Sequence, residues 1–381
     1  MKTTLYSILA AAACGMAFGQ TAYTTPVGYV SQTCLKSSDT VIGLPLQTAV
    51  RGAGALSVNP DLVTTPGSAI LTLAGTPGFT VDAFKNVSYV RFTSGPANGR
   101  FYAVTGNTAS AITVNLNGDV LDAVATNTLA VTDFWTLNAL FNPAVTTNSS
   151  ATTGNAVVNS LSASNGNRRT QLFFANISTS NINLAPSATY YVLADITNPP
   201  TRWVRVGDAT FTDQGAIQCW PDVSMTLRNP ASLAGDTTYT CTGEVVTGAT
   251  VTPLLTRVGA AAAQRDNPRV LSRPVNVSLT NLQLGGTSAF VTSATVSNGN
   301  RRDTLFVYNN DAAVINKAPS ASYYYLAAQV DPVSPAKWVR VGDATLADSG
   351  NVVIPAGAGF FIRKYGTAAG TTSFWTNTPT Y

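Results

Sequence analysis

Aspartates recur in pairs along this chain, Asp208 with Asp213 and Asp343 with Asp348. Two carboxyls facing each other across a cleft, one kept protonated by burial, would support glycosidase-type acid and base work. Six or more oxygens gathered around either pair would hold calcium. Each pair precedes a glycine in a hairpin-like setting, where an Asp side chain commonly bonds its own backbone, so turn formation is expected. Asn115-Leu116-Asn117-Gly118-Asp119 is similarly rich in oxygen ligands but lacks the bidentate Glu of a calcium loop, and a hairpin turn is expected there.

Trp203 and Trp338 alternate with valine and share a strand face with Arg205 and Arg340. A half-exposed indole beside a guanidinium would stack on a sugar, which makes these four residues the candidate glycan contacts. The competing expectation is an indole that closes the edge of the core under its arginine. Tyr190-Tyr191 and Tyr323-Tyr324-Tyr325 are expected to be sheet residues.

The chain has no histidine, which excludes Ser-His-Asp and Cys-His nucleophilic sites and removes the commonest metal ligand. Catalytic residues, metals and cofactors are therefore not expected. A signal peptide is expected over residues 1–19: Lys2, an apolar run from Leu5 to Phe18, and a cleavage site at Ala17-Phe18-Gly19. Lipidation at Cys14 is the alternative. Cys34, Cys219 and Cys241 then remain, and Cys219 with Cys241 is the candidate disulfide, although spacing alone does not fix the connectivity. No later segment is long and apolar enough for a membrane helix.

Charged residues make up 10% of the chain and Glu244 is its one glutamate, so it lacks the usual material of exposed helices. All-β is the expected class. The net charge of +4 is dispersed. Arg168-Arg169 and Arg301-Arg302 are too short for a nucleic-acid face.

Ser164-Asn165-Gly166-Asn167-Arg168-Arg169 returns as Ser297-Asn298-Gly299-Asn300-Arg301-Arg302, and Trp203 to Thr210 returns as Trp338 to Thr345. The reading is an N-terminal β domain and linker over 20–161, a β-hairpin-rich sandwich or barrel-like module over 162–247, a connecting segment over 248–296, and a second copy over 297–381. The Asn-Gly steps predict hairpin turns, as do the prolines at Pro199-Pro200 and between Asp331 and Lys337. Trp135 to Phe141 is the best helical candidate, at one or two turns. Asn142 to Asn155 reads as a linker.

Thr25-Pro26-Val27-Gly28-Tyr29-Val30, Gly43-Leu44-Pro45-Leu46, Gly99-Arg100-Phe101-Tyr102, Trp135-Thr136-Leu137 and the closing Gly359-Phe360-Phe361-Ile362-Arg363-Lys364 together resemble a family of exported, β-rich proteins of verrucomicrobial-type bacteria. That resemblance implies a secreted or surface location, with no established activity and no functional residues to carry over. The expected function is a structural or adhesive envelope protein, with envelope components, extracellular glycans or a second copy as partners. A glycan-binding protein is the alternative, and an Asp-dependent enzyme stands behind both.

Overall fold

The computed structural model describes residues 25–62, 67–143, 157–194, 200–259, 263–297, 299, 301–330 and 333–381. The expected signal segment with Cys14, most of the 142–155 linker, and Pro199, Asn298, Asn300, Asp331 and Pro332 lie outside these residues. The fold is nearly all-β, with 42% strand and 4% helix in several antiparallel sheets.

Two five-stranded sheets have the same strand order. The first runs Arg202–Arg205, Pro186–Leu193, Gln171–Ala175, Met225–Asn229, Ser38–Ile42; the second runs Lys337–Arg340, Ala321–Leu326, Thr304–Val307, Gly359–Lys364, Arg265–Val270. Each sheet buries one face against its own antiparallel ribbon, Val27–Cys34 with Thr237–Glu244 in the first and Thr250–Leu255 with Thr372–Asn377 in the second. Alternation sets the buried face: Leu172, Met225 and Leu227 enter the first core, and Leu305, Phe360 and Ile362 enter the second.

Strand pairing therefore draws the units differently from the expected boundaries. Residues 27–46, expected to belong to the N-terminal domain, supply two strands and part of the core of the first module. Residues 250–270, expected to connect the copies, supply the same two strands of the second. Similarity between the copies is legible only from Ser164 and Ser297 onward. The strands that complete each sheet carry different side chains, Ser-Asp-Thr-Val-Ile against Arg-Asp-Asn-Pro-Arg-Val.

Between the second and third strands of the first module lies a separate unit with its own core. Its sheet runs Val50–Ala55, Thr128–Asp133, Ser88–Phe92, Phe101–Asn107, Ala111–Asn115, Ser68–Thr72, Asp61–Leu62. The first and last of these are one continuous stretch of chain. The Leu56↔Leu73 bridge and the hydrogen bonds Ser57 N–H to Thr72 O (2.9 Å) and Ala74 N–H to Ala55 O (2.8 Å) close the sheet on itself as a barrel. Its ends meet where Thr48 Oγ1 donates to Asp133 O at 2.7 Å.

The helical candidate is one turn, Leu137–Leu140, entered from a short strand and capped by Thr136, whose hydroxyl accepts from Ala139 N–H. Asn117 (φ 51°) and Gly118 (φ 81°) form the expected Asn-Gly turn, closed by Asp119 N–H to Leu116 O at 2.9 Å. It is not a hairpin, because the flanking strands pair elsewhere: Ala111–Asn115 with its neighbours at 68–72 and 101–107, and Thr128–Asp133 with 50–55 and 88–92. In the first copy the repeated Asn-Gly motif likewise makes no hairpin: Asn165–Asn167 is a 3-10 turn.

Candidate functional site

The pairs of aspartates are turn formers. Asp208 accepts the Thr210 hydroxyl (2.6 Å) and N–H (2.9 Å) and the Thr212 N–H (2.8 Å), while Asp213 accepts the Gly215 N–H at 2.9 Å. Asp343 accepts the Thr345 hydroxyl (2.6 Å) and N–H (2.9 Å) and the Ala347 N–H (3.0 Å), and Asp348 accepts the Gly350 N–H at 2.8 Å. Bonds from the Thr210 hydroxyl and backbone hold Asp208 down at about 2, and those from Thr345 lower Asp343 in the same way. In the barrel, Asp119 is taken by Tyr102 Oη (2.6 Å) and by the Arg100 guanidinium (3.3 Å). Among the described residues no group of three or more His, Cys, Asp or Glu is placed to hold a metal.

The candidate glycan contacts separate. Trp203 is 0% exposed and Trp338 2%, so neither indole face is open to a sugar. Trp203 donates to Phe141 O at 3.2 Å and stands edge-on to the Phe141 ring, whereas Trp338 packs against Phe290 and Tyr325. Gly285 makes the second packing fit, since a Cβ there would meet Tyr325 at 2.4 Å and Trp338 at 2.9 Å. Arg205 and Arg340 are exposed at the sheet edge. Neither arginine lies over an indole; in the repeated motif, Arg168 lies over Tyr191 and Arg301 over Tyr324, each at 5.4 Å.

Cys34, Cys219 and Cys241 are free, buried thiols in the core of the first module, so the candidate Cys219–Cys241 bridge is not formed. Burial pushes Cys34 and Cys219 up to about 12 and Cys241 to about 11.

What the duplicated residues do assemble lies between the modules. Asp39 of the first module accepts Arg228 of its own sheet through Nε (2.6 Å) and Nη2 (2.7 Å), and also the backbone N–H of Asn316 from the second at 2.8 Å. Asp266 of the second accepts Arg363 through Nε (2.7 Å) and Nη2 (2.9 Å), and the N–H of Asn183 from the first at 2.7 Å. Arg228 reaches on to Asn316 Oδ1 (2.7 Å) and Arg363 to Asn183 Oδ1 (3.1 Å). The outer strands take part as well: Asp39 N–H donates to Val314 O (2.9 Å) and Asp266 N–H to Asn181 O (3.1 Å). Each of these contacts from i to j is answered by its equivalent from j to i, the signature of an isologous, two-fold interface, here within one chain.

Asn183 (φ 52°) and Asn316 (φ 56°) are left-handed, a conformation that asparagine tolerates better than most residues. That turn aims each N–H at the other module's carboxylate. Beneath each clasp an arginine lies over a phenylalanine, Arg228 on Phe173 at 4.7 Å and Arg363 on Phe306 at 4.6 Å. Between the two clasps runs a cleft of about 470 Å³ lined by Asp39, Asp266, Tyr308, Phe361 and Arg363 among others. Every carboxylate oxygen in it already accepts a donor, and burial pushes Tyr308 up to about 12. These groups lock the modules together. Asn183-Leu184-Ala185-Pro186 and Asn316-Lys317-Ala318-Pro319 carried a signal in the sequence. Their partners Asp39 and Asp266 lie outside the recognisable copies and carried none.

Comparison with protein-family models, with curated proteins and with solved structures gives no match.

Proposed function

We propose that this chain is an exported, non-catalytic structural or adhesive protein of the cell envelope or cell surface, of the kind that the resemblance to verrucomicrobial-type exported proteins implies. The observation that carries the reading is the reciprocal clasp. Duplicated modules held by reciprocal ion pairs and hydrogen bonds in a two-fold arrangement suit a load-bearing or presenting role. The repeated aspartate pairs support the same reading, since Asp208, Asp213, Asp343 and Asp348 are all taken up by their own turns.

Immunogold labelling of intact cells, together with fractionation, tests the location. Label on the envelope and recovery in the envelope fraction are expected. Recovery only as a free monomer in the medium would remove the structural reading.

A further inference from the structure

We propose that Asp303 and Lys364 form a self-made amide cross-link, an isopeptide bond that joins the end of strand Gly359–Lys364 to the residue just before strand Thr304–Val307. This goes beyond the envelope reading and does not depend on it. The register sets the two side chains opposite each other: Thr304 pairs with Arg363, so Asp303 and Lys364 are the next cross-strand couple outward. Both are dry, Lys364 at 1% and Asp303 at 0% exposure of the side chain, and the ammonium contacts carboxylate Oδ2 directly.

The surroundings fit condensation. Oδ2 accepts the N–H of Val291 at 2.7 Å and Oδ1 that of Tyr365 at 2.8 Å. These two N–H groups would hold the negative charge that develops on oxygen in a tetrahedral intermediate. Lys364 Nζ also donates to Ala289 O at 2.5 Å, which fixes the amine against the carboxyl carbon. Burial raises Asp303, favouring its neutral acid. In the dry site a proton passes from the ammonium to the carboxylate, leaving an amine and a carboxylic acid. The Nζ lone pair attacks Cγ, the Cγ–OH bond breaks, and the hydroxyl leaves as water with a proton from nitrogen. The balance is amine plus acid to amide plus water, with no oxidant or co-reactant.

The first module provides the internal comparison. At the same place in its sheet stand Thr170 and Asn229, both fully buried, joined by a 2.8 Å hydrogen bond, with Val158 N–H donating to Thr170 Oγ1 at 3.1 Å. A neutral pair therefore suffices to build this corner of the sheet. An isolated buried ion pair gains little over such a pair once desolvation is counted, whereas an amide removes both charges.

The test is the intact mass of the purified protein, followed by peptide mapping after denaturation. The expected result is a chain lighter by one water, with a single branched peptide containing both Asp303 and Lys364. Full mass, with the two peptides recovered separately after prolonged incubation of the folded protein, overturns the proposal. So does a water loss confined to one peptide. The double substitution Asp303→Thr with Lys364→Asn, which installs the first module's pair, is the folding-competent control and should restore the full mass.

Discussion

Thiols buried among apolar side chains stay protonated and inert, and this sets a first expectation for Cys34, Cys219 and Cys241. In the native protein at mildly alkaline pH a thiol reagent should label none of the three, and in denaturant it should label all three. A Cys219–Cys241 bridge would leave one of the three to react. At Asp208 and Asp343 the sign of the pH effect follows from their lowered values. The folded value of about 2 for Asp208 lies below the ordinary 3.8, so its contribution is present above 3.8 and is lost as pH falls toward 2. Replacing both with alanine should flatten acid unfolding in that window, as followed by circular dichroism, and leave stability above it with little further pH dependence. Trp203→Ala should cost about 3–5 kcal/mol in denaturant unfolding, the range for emptying a buried aromatic site. A loss of glycan binding without loss of stability would contradict the buried position.

At the scale of strands and turns, much was readable beforehand. The hairpin joining Pro186–Leu193 to Arg202–Arg205 and its repeat at Ala321–Leu326 and Lys337–Arg340 follow from alternating aromatic and β-branched runs around proline-bearing loops. The Asn117-Gly118 turn was readable too, but the partners of its flanking strands were not. Local chemistry fixes a turn, whereas pairing depends on which distant strand completes the buried face. Ser38–Ile42 shows this most clearly: all five of its residues are buried, yet its partner at Met225–Asn229 lies nearly two hundred residues on. The two readings of Trp203 and Trp338, sugar contact or core edge, stay open in the sequence for a related reason. Alternation with valine gives the face but not what covers it, and here the cover is Phe141 in one module and Phe290 in the other. The clasp carries this scale's prediction. Asp39→Ala and Asp266→Ala should each cost about 2 kcal/mol, the typical loss for hydrogen bonds to a charged group, read as a shift of the denaturant midpoint.

Across the whole molecule, the chain leaves the first module after two strands, builds a barrel, and returns beside its point of departure, where Thr48 and Asp133 meet. Insertions with adjacent ends are readily removed. Replacing residues 49–133 with a short turn should leave both modules folded, with the calorimetric transition of the barrel lost; a chain that fails to fold would show the barrel to be part of their core. None of this nesting was legible in the sequence, because an insertion leaves no mark when its strands look like those around it. The two-fold clasp was half legible, in the repeated Asn-x-Ala-Pro segments. Its most direct test is amide hydrogen exchange at Asn183 and Asn316, whose N–H groups lie in surface loops and bond only to the aspartate of the other module. Slow exchange is expected at both in the intact protein, with loss of protection at Asn183 alone in Asp266→Ala, and at Asn316 alone in Asp39→Ala. Exchange at both amides as fast as in an open loop, in the unaltered protein, would contradict it.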